Sequence, residues 1–125
     1  MRKLVVLSEE DLIYCYEEGV HVRLYTRLPA RGELLVKLKH YQQKGEYDPA
    51  DKRVAIYLSH IQELADYKLT LFHEFAHAVD HLLFDVKYSE RRIEQIAQNT
   101  YQTNEELFEF IKEMYRLPEI RFGKK

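Results

Sequence analysis

Two hydrophobic periods alternate along this chain, and the places where one gives way to the other mark its elements. Residues 8 to 18 open with Ser8-x-x-Asp11 and set Leu12, Ile13 and Tyr16 at helical spacing, which predicts a short helix ended by Gly19. From Val20 to Tyr25 the period drops to two, with Val20, Val22 and Leu24 interleaved by His21, Arg23 and Tyr25, the pattern of a strand. Pro29-Ala30-Arg31-Gly32 turns the chain, Leu34 to Lys39 reads as a strand or a helix with strand preferred, and Gly45 to Asp51 has the Gly, Asp and Pro content of a turn. Arg53 to Leu58 alternates again with one apolar face. Two or three strands thus precede a long helix-like stretch from Asp66 to Phe84, which is followed by a polar helical segment from Glu90 to Gln98. A final helix spans about Asn104 to Arg116, opened by the capping-box pattern Thr103-x-x-Glu106 and stopped by Pro118.

The 66 to 84 stretch separates sharply on a helical wheel. Asp66, Thr70, His73, Glu74, His77, Asp80 and His81 fall in one sector of roughly 120°. Ala65, Leu69, Phe72, Ala76, Val79 and Leu83 form an oily stripe on the other side, flanked by Leu64, Leu71, Phe75, Ala78 and Leu82 and interrupted only by Lys68 at its border. That stripe must face a core, which leaves the polar sector for a cleft or for solvent. A merely solvated face in a chain that is 32 % charged would carry Lys, Arg and Glu rather than three histidines.

Within the polar sector, His73-Glu74-Phe75-Ala76-His77 is an HExxH pattern. Histidines four apart on a helix present two imidazoles on one face, at a separation that lets both bind one zinc ion, with the intervening glutamate beside them as general base. A catalytic zinc needs a third protein ligand and an open position for water. His81 continues the spacing, but it lies about 12 Å from His73 along a straight helix, too far to share an ion with both. A third histidine ten residues after the first would fall at Leu83, which excludes the extended HExxHxxGxxH type. A carboxylate from a later helix remains, and Glu105 and Glu106 open the final helix, Glu106 nearer the edge of its Leu107, Phe110, Ile111 and Met114 face. For both, helix-end charge or capping is the competing role.

Composition narrows the picture further. At 125 residues, without repeat, low-complexity tract or linker, residues 1–125 read as one domain with one core. Net charge −2 gives no electrostatic footprint for nucleic acid, and no apolar run is long enough for a membrane span. Met1-Arg2-Lys3 followed only by Leu4 to Leu7 is too short for a signal peptide, and the single Cys15 makes no internal disulfide, so a cytoplasmic address is expected. Cys15 has no basic neighbour and reads as buried filler.

The segments His73 to Asp80 (HEFAHAVD) and Thr103 to Phe110 (TNEELFEF) together resemble the gluzincin metallopeptidases, in which HExxH on one helix is completed by a glutamate on the next major helix. The first segment is similar to that of the anthrax lethal factor catalytic domain and its relatives, HEFGHAVD with a later S/T-x-x-E-F-F. That alignment implies Glu106 as metal ligand. The size resembles the archaeal minigluzincins, and more loosely the ImmA/IrrE proteases, whose ligand helix ends in a turn comparable to Arg116-Leu117-Pro118 and whose register implies Glu105 instead. The likeness covers roughly Tyr47 to Pro118. It departs at Asn99, where lethal-factor-like enzymes carry a catalytic tyrosine seven residues before the glutamate, with Tyr101 five before, and at Ala76, where glycine is usual.

The resemblance implies a small α+β, zincin-like domain: a short, mostly antiparallel sheet packed on the HExxH helix and a C-terminal ligand helix. It implies a zinc endopeptidase with His73, His77 and Glu106 on the metal and Glu74 activating the bound water, acting on peptide or protein substrates. Asp80 is a candidate acceptor for an imidazole N–H, His81 reads as surface, and Tyr101 is a candidate oxyanion stabiliser. The strand Arg53 to Leu58 is the expected edge for an extended peptide. The tail from Leu117 to Lys125, or self-association, would hold such an enzyme as a zymogen. The rival reading is a zinc-binding regulatory or interaction module with a closed site, and a metal-free interaction domain is the third.

Overall fold

Ser8 opens the first element as its spacing predicts: its Oγ accepts the N–H of Asp11 at 3.2 Å, starting α1 (Glu9–Glu17), and the chain leaves the helix through Gly19 at φ 97°. The computed structural model describes residues 3–26 and 43–122. The Pro29–Gly32 turn and the Leu34–Lys39 strand predicted above lie outside these residues. β1 (His21–Tyr25), β2 (Gly45–Asp48) and β3 (Arg53–Tyr57) form one sheet in the order β1-β3-β2. β3 pairs parallel with β1 and antiparallel with β2, so the sheet is mixed rather than mostly antiparallel. The hairpin between β2 and β3 dictates their antiparallel pairing, whereas β1 meets β3 only across a long connection, which permits the parallel one. β3 is the central strand, not an edge.

Gly45 to Asp48, expected as part of a turn, is strand. Its Gly and Asp residues mask a strand whose glycine is required by packing. A Cβ on Gly45 would stand 2.8 Å from Thr70 Cγ2, 3.0 Å from Glu74 Cγ and 3.1 Å from the Ala55 carbonyl. Only a residue without a side chain lets β2 approach the long helix this closely.

That helix, α2 (Leu64–Val79), lies against β2 and β3, and continues through one wider π-helical turn, Asp80–Phe84, ended by Asp85 at φ 54°. Leu71, Phe72, Phe75, Ala76, Ala78 and Val79 are fully buried with Val54 and Ile56 in the core. The helix departs from the wheel at several positions: Leu64, on the flank of the oily stripe, is exposed, and a residue outside the stripe joins the core. Tyr67 is buried, ring to ring with Phe108 at 5.3 Å. Leu69 borders a cleft, and Leu83 is exposed at the π turn, where each residue rotates less than the 100° of the wheel and the phase lags beyond Val79. α3 (Glu90–Thr103) starts at Ser89, whose Oγ accepts the Arg92 N–H, and packs more extensively on α2 than any other helix. α4 (Leu107–Tyr115) closes the core with Leu107, Phe108 and Ile111. The result is a small α+β arrangement of four α-helices and a three-stranded mixed sheet among the described residues. No described helix is long and apolar enough to cross a membrane. Cys15 is buried, and burial, reinforced by Asp11, pushes its thiol up to about 12, as suits a filler rather than a nucleophile.

Candidate metal centre

α2 delivers the two histidines to the floor of a cleft of about 710 Å³ between β2 and α3. Its walls are residues 43–47 of β2 and its approach, Asp66, Leu69, Thr70, His73, Glu74 and His77 of α2, and Glu90, Glu94 and Gln98 of α3. One nitrogen each from His73 and His77 and a carboxylate oxygen of Glu74 lie within 4.8 Å of one another, a group that could hold a metal ion. The helical spacing that suggested the motif is therefore realised, with the rings 5.2 Å apart edge to face.

The facing helix supplies what sequence reading missed. The Glu90 carboxylate stands between the two imidazoles, 3.1 Å from His73 Nε2 and 3.1 Å from His77 Nε2. Glu94, one turn on, meets the other nitrogen of His73, with Oε1 2.8 Å from Nδ1, and is itself steadied by the Gln98 amide at 2.9 Å. Glu90-x-x-x-Glu94 on α3 thus mirrors His73-x-x-x-His77 on α2. The four-residue spacing within the polar segment was the only trace of it in sequence, since the pairing arises from how α3 packs on α2.

Glu106 and Glu105 are placed elsewhere. Neither lines the cleft. Glu106 is the residue before α4, exposed, where its carbonyl accepts the N–H groups of Glu109 and Phe110. The expected capping box does not form, because Thr103 ends α3 and its hydroxyl donates back to the Asn99 carbonyl at 2.8 Å. Glu105 is held by Lys68 Nζ at 2.7 Å. Tyr101 lies within α3, partly buried against the core and outside the cleft lining. Tyr47 on β2 is the tyrosine in that lining, its hydroxyl 2.8 Å from His81 Nδ1. Asp80 turns its carboxylate to backbone amides beyond the helix rather than to an imidazole. Of the described tail, no residue from Leu117 to Phe122 lines the cleft. Leu117, Ile120 and Phe122 pack on the core, Phe122 against Tyr67.

The electrostatics follow from this crowding. Glu74 is 6 % exposed and makes no hydrogen bond among the described residues, so burial pushes its carboxyl up to about 8, with His73 working against the rise and the Glu90, Glu46 and Glu94 carboxylates adding to it. Burial acts to lower His73, but Glu74, Glu94 and Glu90 outweigh it and raise the imidazole above its ordinary range. A carboxylate on each ring nitrogen favours the doubly protonated ring. His77, without a second carboxylate of that kind, is lowered by burial. Glu90, although partly desolvated, is held below the usual carboxylate range by His77 and His73.

No protein family, curated protein or solved structure matches the chain.

Proposed function

We propose that the protein is a zinc peptidase of gluzincin type in which His73, His77 and Glu90 hold the metal and Glu74 is the general base. The observation that carries this reading is the convergence of two imidazole Nε2 atoms and the Glu90 carboxylate, with Glu94 on the remaining nitrogen of His73. Two imidazoles and a carboxylate are a donor set that suits zinc and leaves one position open. A carboxylate on the far side of a ligating imidazole fixes its tautomer and strengthens it as a donor. Glu94 gives His73 that partner. In this reading Glu90 takes the place that the resemblance gave to Glu106.

A zinc ion bound there would supply Lewis acidity to the scissile carbonyl and to the attacking water. Glu74 supplies the proton relay. Its carboxylate takes a proton as the water oxygen bonds to the carbonyl carbon, and gives it to the leaving amine as the C–N bond breaks. A cation beside Glu74 would bring its raised pKa down, making it a base at neutral pH. Gly45 lets β2 lie directly over Glu74, and β2 is an edge of the sheet among the described residues. An extended peptide added along that edge would run through the cleft over the catalytic glutamate.

The test is a peptide-library digest with zinc-loaded wild type beside Glu74→Gln. The variant should retain its zinc and lose about 100-fold or more of the cleavage rate. Equal cleavage by both would refute the assignment.

A further inference from the structure

Asp80 is 4 % exposed and stands one helical turn beyond His77. Its Oδ1 accepts the backbone N–H of Val86 at 2.9 Å and of Lys87 at 3.3 Å, and its Oδ2 accepts that of Tyr88 at 2.8 Å. The segment it grips has two side-chain-bearing residues in the left-handed region, Asp85 at φ 54° and Lys87 at φ 63°. Such a path persists only where the surroundings over-determine it. The chain then reaches Ser89, which caps α3, and Glu90 is the first residue of that helix. From there the Glu90 carboxylate returns to His77 Nε2. The covalent path from one end of the site to the other is therefore short and pinned at its middle by a single buried carboxylate.

We propose that Asp80 is a positioning residue for the metal centre: by tying the Val86–Tyr88 amides to the end of the HExxH helix, it sets where Glu90 stands over His73 and His77. The inference rests on the ligand set proposed above. It assigns the aspartate of HEFAHAVD a role through Glu90, not through an imidazole. Asp80→Asn keeps the shape but puts an amide NH2 where one carboxylate oxygen stood, so at least one loop N–H loses its acceptor and α3 is free to start elsewhere.

Zinc affinity measured by competition with a chromogenic chelator, on wild type, Asp80→Asn, Glu90→Ala and the double variant, tests this. Asp80→Asn should weaken zinc binding by about 10- to 100-fold, the range for outer partners of a metal site. In the Glu90→Ala background the same change should alter affinity by no more than about twofold, because the effect runs through Glu90. Equal affinity for Asp80→Asn and wild type, or an equal loss in both backgrounds, would overturn the role of Asp80 while leaving the metal centre standing. A wild type that takes up no zinc overturns the centre and this role together. Should Asp80→Asn not fold, Asp80→Glu, which keeps both acceptors one methylene farther out, carries the same comparison.

Discussion

Glu74 places an ionisable group where ionisation is opposed, and that has a measurable consequence for the metal-free protein. Its folded pKa of about 8 lies above the ordinary 4.5, so between those values the folded state binds more protons than the unfolded one. The contribution to stability is full below about pH 4.5 and is lost as pH rises through about 8. Thermal unfolding of the metal-free protein should show wild type losing stability over that window and Glu74→Gln losing less. Parallel profiles would contradict the burial argument. For the third ligand, Glu90→Ala should weaken zinc binding by about 100-fold or more, while Glu106→Ala should change it by no more than about twofold, read by chelator competition. His73, Glu74 and His77 were legible in sequence because their grouping is local to one helix. Glu90, the proposed third ligand, was not, because its approach to the histidines depends on how α3 packs on α2, and Glu106 drew attention through its place near the apolar face of the final helix and through the lethal-factor-like alignment, neither of which says where that helix end lies relative to the cleft.

At the scale of elements, β2 decides how the cleft closes over the motif. Gly45→Ala would put a methyl 3.1 Å from the Ala55 carbonyl, a backbone atom that cannot rotate away, and 2.8 Å from Thr70 Cγ2. The variant should lose about 1–3 kcal/mol of stability in denaturant titration, an overpacking cost, with β2 displaced from α2. An unchanged midpoint would show that β2 is not held against the helix. The long helix, the capped start at Ser8 and strands β1 and β3 follow from periodicity and capping alone. β2 did not, since its glycine serves close approach rather than strand propensity. The π turn at Asp80–Phe84 also escaped, because an apolar stripe reads straight through it to Leu83.

Taken whole, the molecule sets an oily helix between a sheet edge and a polar helix, so that its one polar face looks into the cleft those two elements form. The described tail lies against Tyr67 and adds nothing to the cleft lining, so the candidate metal-binding face is built from α2, α3 and the β2 strand with its approach. The central claim is that these elements bring His73, His77 and Glu90 to one zinc ion. An anomalous-difference map collected at the zinc edge from crystals grown with zinc tests it most directly. It should show one peak, with His73 Nε2, His77 Nε2 and a Glu90 oxygen each about 2.0–2.2 Å away. A peak ligated by Glu106 in place of Glu90, or no peak at the two histidines, would contradict it.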